Sequence, residues 1–211
     1  MSTIHGSIFS RRSRAISVSV IRGHFATENS HVNYYINLNE AKDRLRMSKA
    51  VASELAARYD MISVDTILCL DGTKLIGAYI ADEISKRRNV INSGLDISII
   101  QPERSKGGYL IFRENNQDMI ENKNVLMLVS SISTGQTVYN ALECVQYYGG
   151  YPAGVCALFS VVPEIHGQEV NAIFTNEDIT DYRSYSPESC EMCAAGQKID
   201  AVVNAFGFSR L

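Results

Sequence analysis

The stretch VLMLVSSISTGQT, residues 125–137, decides how this chain folds. Its first five residues, Val125, Leu126, Met127, Leu128 and Val129, form an uninterrupted apolar run, as expected for a strand covered on both faces. Residues 138–148 then carry apolar positions at helical spacing. Between them lie Ser130, Ser131, Ser133, Thr134, Gly135, Gln136 and Thr137. A turn of this composition presents hydroxyls and free backbone N–H groups at a helix N-terminus. About half a positive charge resides there, so the turn reads as a cradle for an anion, phosphate first.

The same grammar extends outward. Residues 41–59 form a helical pattern with Leu45, Val51, Ala52, Leu55 and Ala56 on one face, and with Lys42, Arg44, Lys49, Glu54 and Arg58 largely opposite. Strands are predicted at 65–70, 95–100, 125–129, 153–161 and 170–175, with a helix at 75–84 after the first of them. This alternation predicts an α/β fold: a mostly parallel five-stranded sheet flanked by helices. Residues 1–40 lack helix signal and are read as an N-terminal hood over one end of the sheet. Residues 41–180 are the α/β core and 181–211 a C-terminal extension. The long excursion at 101–124, with Pro102, Gly107, Gly108 and a β-prone run at 109–112, has the character of a binding loop.

Composition restricts the partners. With 211 residues, 45% hydrophobic and 20% charged, the chain suits one soluble domain with a sizeable core. A net charge of −3 gives no bulk attraction to nucleic acid or to an anionic membrane, and neither is expected as a partner. Arg11, Arg12, Arg14 and Arg22 are read as a solvated segment or an oligomer contact. No membrane span or signal-peptide core is evident, and Cys69, Cys144 and Cys156 fall in predicted strands or a helix as free thiols. A cytoplasmic location is expected.

A second anion-friendly turn, Asp71, Gly72, Thr73 and Lys74, follows the first core strand. In an open parallel sheet, ligands sit beyond the strands' carboxyl ends near the switch point. Two such turns together suit a ligand with phosphates at both ends.

On these residues the chain resembles the type I phosphoribosyltransferases. Their signature is a hydrophobic strand, two acidic residues, two variable positions and a Thr/Ser-Thr-Gly-x-Thr loop. His24 and Phe25, followed by Ser30, Asn33, Tyr34, Tyr35 and Ile36, are similar to the N-terminal segment of the orotate phosphoribosyltransferases. The resemblance implies that Ser131, Ser133, Thr134, Gly135, Gln136 and Thr137 hold the 5-phosphate of phosphoribosyl pyrophosphate and that Ser130 meets the ribose. It further implies that Asp71, Gly72, Thr73 and Lys74 meet the pyrophosphate, and that Phe25, Tyr34 and Tyr35 lie at the nucleobase or in the hood. Lys106 is the stand-in for the family's catalytic-loop lysine. Mg²⁺ would bridge pyrophosphate and ribose oxygens, and a homodimer would be the assembly. The reaction implied is displacement of pyrophosphate at the anomeric carbon by a nucleobase nitrogen.

One element departs from the pattern: the two acidic positions fall on Val129 and Ser130. Losing both carboxylates removes about 2–4 kcal/mol of ribose and transition-state stabilisation. That is on the order of 30-fold to 1000-fold in rate. Glu28, where the orotate enzymes meet their anionic base, has the wrong sign for orotate. Two functions follow: a transferase making a nucleotide, or a non-catalytic protein binding a phosphorylated ribose or nucleotide. In the tail, Cys190 and Cys193 form a C-x-x-C, two of the four ligands of a structural zinc site. His166, or the same pair from a second subunit, would complete such a site; the pair is read first as a metal-free packed or surface pair, with a metal site or a redox pair as the alternatives. His24 and His31 are placed in the hood without a catalytic role.

Overall fold

A computed structural model describes residues 5–86, 91–106 and 109–211. The hood opens with β1 (His5–Phe9), β2 (Ser17–Ala26) and β3 (His31–Ile36), an antiparallel set in which Val18 and Val20 turn inward from β2. The expected helix at 41–59 is two helices, α1 (Asn39–Asp43) and α2 (Leu45–Ala56), broken where Arg44 is extended. The Ser48 hydroxyl lies 2.9 Å from the carbonyl of Ala41 and 3.1 Å from that of Lys42, compensating acceptors freed at the break.

The core continues as β4 (Thr66–Cys69), α3 (Lys74–Lys86) and β5 (Ser98–Ile100). The excursion at 101–124 carries a two-stranded hairpin, β6 (Glu103–Arg104) with β7 (Leu110–Ile111), and a one-turn helix, α4 (Glu114–Gln117). Gly107 and Gly108 lie outside the described residues. Then follow β8 (Asn124–Ile132), α5 (Gln136–Tyr147), β9 (Tyr151–Ser160), β10 (Glu164–Ile165) and β11 (Gln168–Thr175). The tail supplies β12 (Ser184–Tyr185), the short helix α6 (Glu191–Ala194), β13 (Ala201–Asn204) and β14 (Gly207–Arg210).

The central sheet has the order β10-β11-β9-β8-β4-β5, with every pairing from β11 to β5 parallel and β10 an antiparallel edge. The α/β fold with a largely parallel sheet flanked by helices is therefore as expected. The third core strand runs three residues beyond Val129, because pairing with β9 continues to Ile132 opposite Ser160. Alternation along β8 splits the core. Leu126 and Leu128 pack toward α2 and α3, while Val125, Met127 and Val129 pack beneath α5. Gly77 of α3 lies over Cys69, so the helix can approach β4 closely.

The hood is built from both ends of the chain. Its sheet runs β12-β3-β2-β13-β14, with β1 on β2, and β13 joins β2 in parallel register. Three of the four N-terminal arginines make ion pairs or hydrogen bonds, Arg11 and Arg22 while their side chains stay more than half exposed. Arg12 donates to the Asn171 side chain at 2.6 Å and to the Ala172 carbonyl at 2.8 Å, Arg11 pairs with Glu177 at 3.0 Å, and Arg22 pairs with Asp181 at 3.0 Å. Among the described residues no helix is long and apolar enough to cross a membrane.

Candidate functional site

The switch point lies between β4 and β8: α3, which follows β4, covers one face of the sheet and α5, which follows β8, the other. A cleft of about 590 Å³ opens there, lined on the core side by Asp71, Gly72, Ser130, Ser131, Ser133 and Thr137. The hood supplies the opposite wall through residues 27–29, Val32 and Tyr35, and through the β13–β14 turn at 204–207. The two turns singled out in the sequence are thus brought to one cavity.

At the end of β8, Gly135 caps α5 with φ +82°, a conformation in which a side chain is strained. The Thr134 hydroxyl accepts the Gln136 N–H at 3.4 Å, an arrangement local to the turn, and Gln136 reaches Asn140 at 2.8 Å. The Ser30 hydroxyl from the hood lies 3.5 Å from that of Ser133. Val129 is 0% exposed and sits in the apolar layer beneath α5, whereas Ser130, 5% exposed, borders the cleft.

The β4 turn divides differently. Asp71, at φ +53°, and Gly72 face the cleft. The Thr73 hydroxyl is buried and donates within the fold, 2.7 Å from the Leu70 carbonyl and 3.1 Å from that of Leu128. Lys74 is exposed and is not among the residues lining the cleft. Burial holds the Asp71 carboxyl above the usual carboxylate range; Arg104, Lys42 and the Ser130 backbone amide oppose the rise, and Glu28 adds to it. Asp71 and Ser130 thus line the same cleft, with the acidic group contributed by β4's turn rather than by β8.

Lys42 is the residue that helical periodicity misplaced. It is 4% exposed, and its ammonium donates to the Asp71 carbonyl at 3.1 Å and to the Ala205 carbonyl at 2.5 Å. Burial lowers its pKa, and the nearby Asp43 and Asp71 charges oppose that change. The break after α1 puts Lys42 at the cleft, and Asn39 beside it fixes the β13–β14 turn through the Phe206 carbonyl at 2.8 Å.

Of the hood aromatics, Tyr35 lines the cleft, with its ring 4.8 Å from Phe208. Phe25 is buried behind it, and the Tyr34 hydroxyl donates to Asp181 at 2.7 Å, away from the cavity. In the excursion, Arg104 borders the cleft, while Lys106 is exposed and is not among the lining residues.

Cys190 and Cys193 are not partnered by His166, which sits in the β10–β11 turn with its ring 4.4 Å from Tyr139. They gather instead with His24 and His31 of the hood, forming a two-histidine, two-cysteine cluster capable of coordinating a metal ion. A bulge shifts the β2–β3 register between Arg22 and Phe25, which is why strand alternation does not reveal where His24 points.

No family model matches the chain. In sequence it is similar to the orotate phosphoribosyltransferase of Chlorobium phaeobacteroides, 26% identical over 189 residues covering 87% of this chain and 88% of the relative. That of Chlorobaculum parvum is 27% identical over 191 residues, covering 88% and 89%. Among solved structures it is similar to Mycobacterium tuberculosis orotate phosphoribosyltransferase in complex with 5-phospho-α-D-ribosyl 1-diphosphate. That match has TM-score 0.51 and 16% identity, and covers 69% of this chain and 82% of that one. Together with the strand order and the paired turns at the switch point, these likenesses show that the chain has the fold of the type I phosphoribosyltransferases, with valine and serine at the positions where the signature has its two acids.

Proposed function

We propose that the cleft binds a 5-phosphorylated ribose, as phosphoribosyl pyrophosphate or a nucleoside monophosphate, and that the protein acts as a binding or regulatory member of its fold family. One observation carries this reading: the turn at 133–137 keeps its glycine cap and hydroxyls, while the position of the first signature acid is a fully buried valine. On this reading the α5 N-terminus, Ser133 and Thr137 receive the 5-phosphate, and Ser130 or Ser131 gives the ribose a neutral hydrogen bond. Lys42 and Arg104 supply positive charge toward the second phosphate group. The complex of the Mycobacterium tuberculosis relative with its phosphoribosyl diphosphate supports the ligand class.

A second reading, transfer of 5-phosphoribosyl to a nucleobase with release of pyrophosphate, is favoured by Asp71, whose carboxyl stands beside Ser130. Glu28 on the hood rim disfavours orotate as the base. Both readings accommodate Mg²⁺. Asp71 and Glu28 are carboxylates at the cleft, and Mg²⁺ is commonly held by one or two carboxylates together with substrate phosphates. When bound, it would neutralise pyrophosphate charge. A homodimer and a cytoplasmic location belong to the same family-based reading.

The test is calorimetric titration with phosphoribosyl pyrophosphate and with nucleoside monophosphates, alongside pyrophosphate release over a panel of bases. Saturable binding without release supports the binding role. Release with one base establishes the transferase, and absence of binding by every ligand removes both.

A further inference from the structure

The hood's four metal-ligating atoms are contributed by segments far apart in sequence. The His24 Nε2 to His31 Nδ1 distance is 3.2 Å, Cys190 Sγ lies 3.6 Å from His24 Nε2, and Cys193 Sγ lies 3.7 Å and 3.3 Å from the two ring nitrogens. All four lie within 4.8 Å of one another. A tetrahedron with Zn–N of about 2.0–2.1 Å and Zn–S of about 2.3 Å has edges of roughly 3.3–3.8 Å, close to the four distances of 3.2–3.7 Å above. His24 is 0% exposed, and its Nδ1 lies 2.9 Å from the Gln197 carbonyl. Donation there fixes the tautomer that leaves the Nε2 lone pair facing the cluster, the supporting arrangement typical of metal-bound imidazoles. The Cys190 amide chain enters α6, so both thiols project from one turn.

We infer that His24 Nε2, His31 Nδ1, Cys190 Sγ and Cys193 Sγ bind one zinc ion that clasps the C-terminal segment onto the β2–β3 hairpin. Four protein ligands leave no open position, so the ion is structural rather than hydrolytic. Its place explains the hood's architecture. The hairpin turn at 27–30 forms a rim of the cleft, and β13, which follows the clasp, pairs with β2 and leads into the turn at 204–207 that forms another. Between them, the His24 amide donates to Asp200 at 2.8 Å and the Asp200 amide donates to the His24 carbonyl at 2.8 Å. Small domains with a limited core of their own are stabilised in this way, and among the described residues the hood's separate cluster has Phe25, Val32, Tyr35 and Ala201 as its buried members. The inference stands whatever the cleft binds.

Elemental analysis of the full chain, purified under reducing conditions without chelating resin, should find about one zinc per chain. After zinc removal, Co²⁺ should restore binding with thiolate-to-metal charge-transfer bands. Cys193→Ser, at an exposed position, and His31→Ala should each weaken zinc by more than the roughly 10- to 100-fold typical of losing a supporting hydrogen bond. His166→Ala should leave zinc unchanged. Chelation should speed tryptic cleavage at the exposed Lys198. Failure of the reduced wild-type chain to take up either metal, or retention of wild-type zinc affinity by both ligand variants, overturns the site. An unchanged cleavage rate after verified zinc loss overturns the clasp.

Discussion

Restoring the two acids separately should have opposite characters, because their positions lie in different environments. Val129 is 0% exposed among Val138, Ala141 and Val145 beneath α5. Val129→Asp removes about 1.5–3 kcal/mol of apolar burial. It also leaves a carboxyl without a polar partner, at about 1–3 kcal/mol more if neutral. The sum of about 2.5–6 kcal/mol is a large part of the 5–15 kcal/mol typical of a folded protein. At about 2–4 °C per kcal/mol for a chain of this size, Tm should fall by roughly 5–24 °C. Ser130→Asp instead places a carboxylate at the cleft beside Asp71. Two carboxylates about 4–6 Å apart repel by roughly 3–4 kcal/mol at an effective dielectric of 20, and solvent in the open cleft reduces that figure. A divalent cation between them reverses the sign. Ser130→Asp should therefore gain thermal stability from Mg²⁺ well beyond any gain of the wild type, while Val129→Asp should not. Scanning calorimetry of both variants with and without Mg²⁺ reads this directly. A Val129→Asp protein within 1 kcal/mol of wild type, or a Ser130→Asp protein indifferent to Mg²⁺, refutes the assignment of the two positions to core and cleft.

Gly135→Ala forces an alanine to φ +82° and brings its Cβ to 3.2 Å from Ile165 Cδ1. It should cost about 1–3 kcal/mol of stability and weaken phosphate-ligand binding at least tenfold by calorimetry; unchanged affinity contradicts the cradle. Lys42→Met removes the cation that joins the Asp71 and Ala205 carbonyls. It should lower affinity for a diphosphorylated ligand more than for a monophosphate, and an equal loss for both would move Lys42 out of the second phosphate subsite. Burial pushes the Cys69 and Cys156 thiols up to about 12 and Cys144 up to about 11. Native alkylation at pH 8 in the presence of chelator should therefore spare all three while labelling Cys193. Mass spectrometry showing Cys144 labelled as fast as Cys193 would contradict this.

The central layer was legible because its signals are local. The apolar run at 125–129, the glycine before α5 and the helical spacing after it lie within twenty-five residues and report burial on both faces. The hood was only half legible, since β12, β13 and β14 join it from more than 140 residues away. Strands of two to four residues carry little periodicity of their own. Lys42 fell on the polar side of a helical wheel drawn over 41–59, but the extended Arg44 resets the phase of that wheel. The C-x-x-C was visible, whereas its partners were two histidines bracketing a hairpin turn, one of them in a register bulge. A pair of histidines flanking residues 25–30 was the available signal, and only the pairing of the two chain ends gives it meaning.

On the proposed function, the cleft binds a phosphoribosyl ligand without efficient turnover. The most direct measurement is a calorimetric titration with phosphoribosyl pyrophosphate and Mg²⁺, with pyrophosphate release followed in the same samples over orotate, uracil and purine bases. The expected result is saturable binding that Gly135→Ala weakens, with no pyrophosphate released by any base. Absence of binding, or turnover at the 1–10³ s⁻¹ or so of ordinary enzymes, would contradict it.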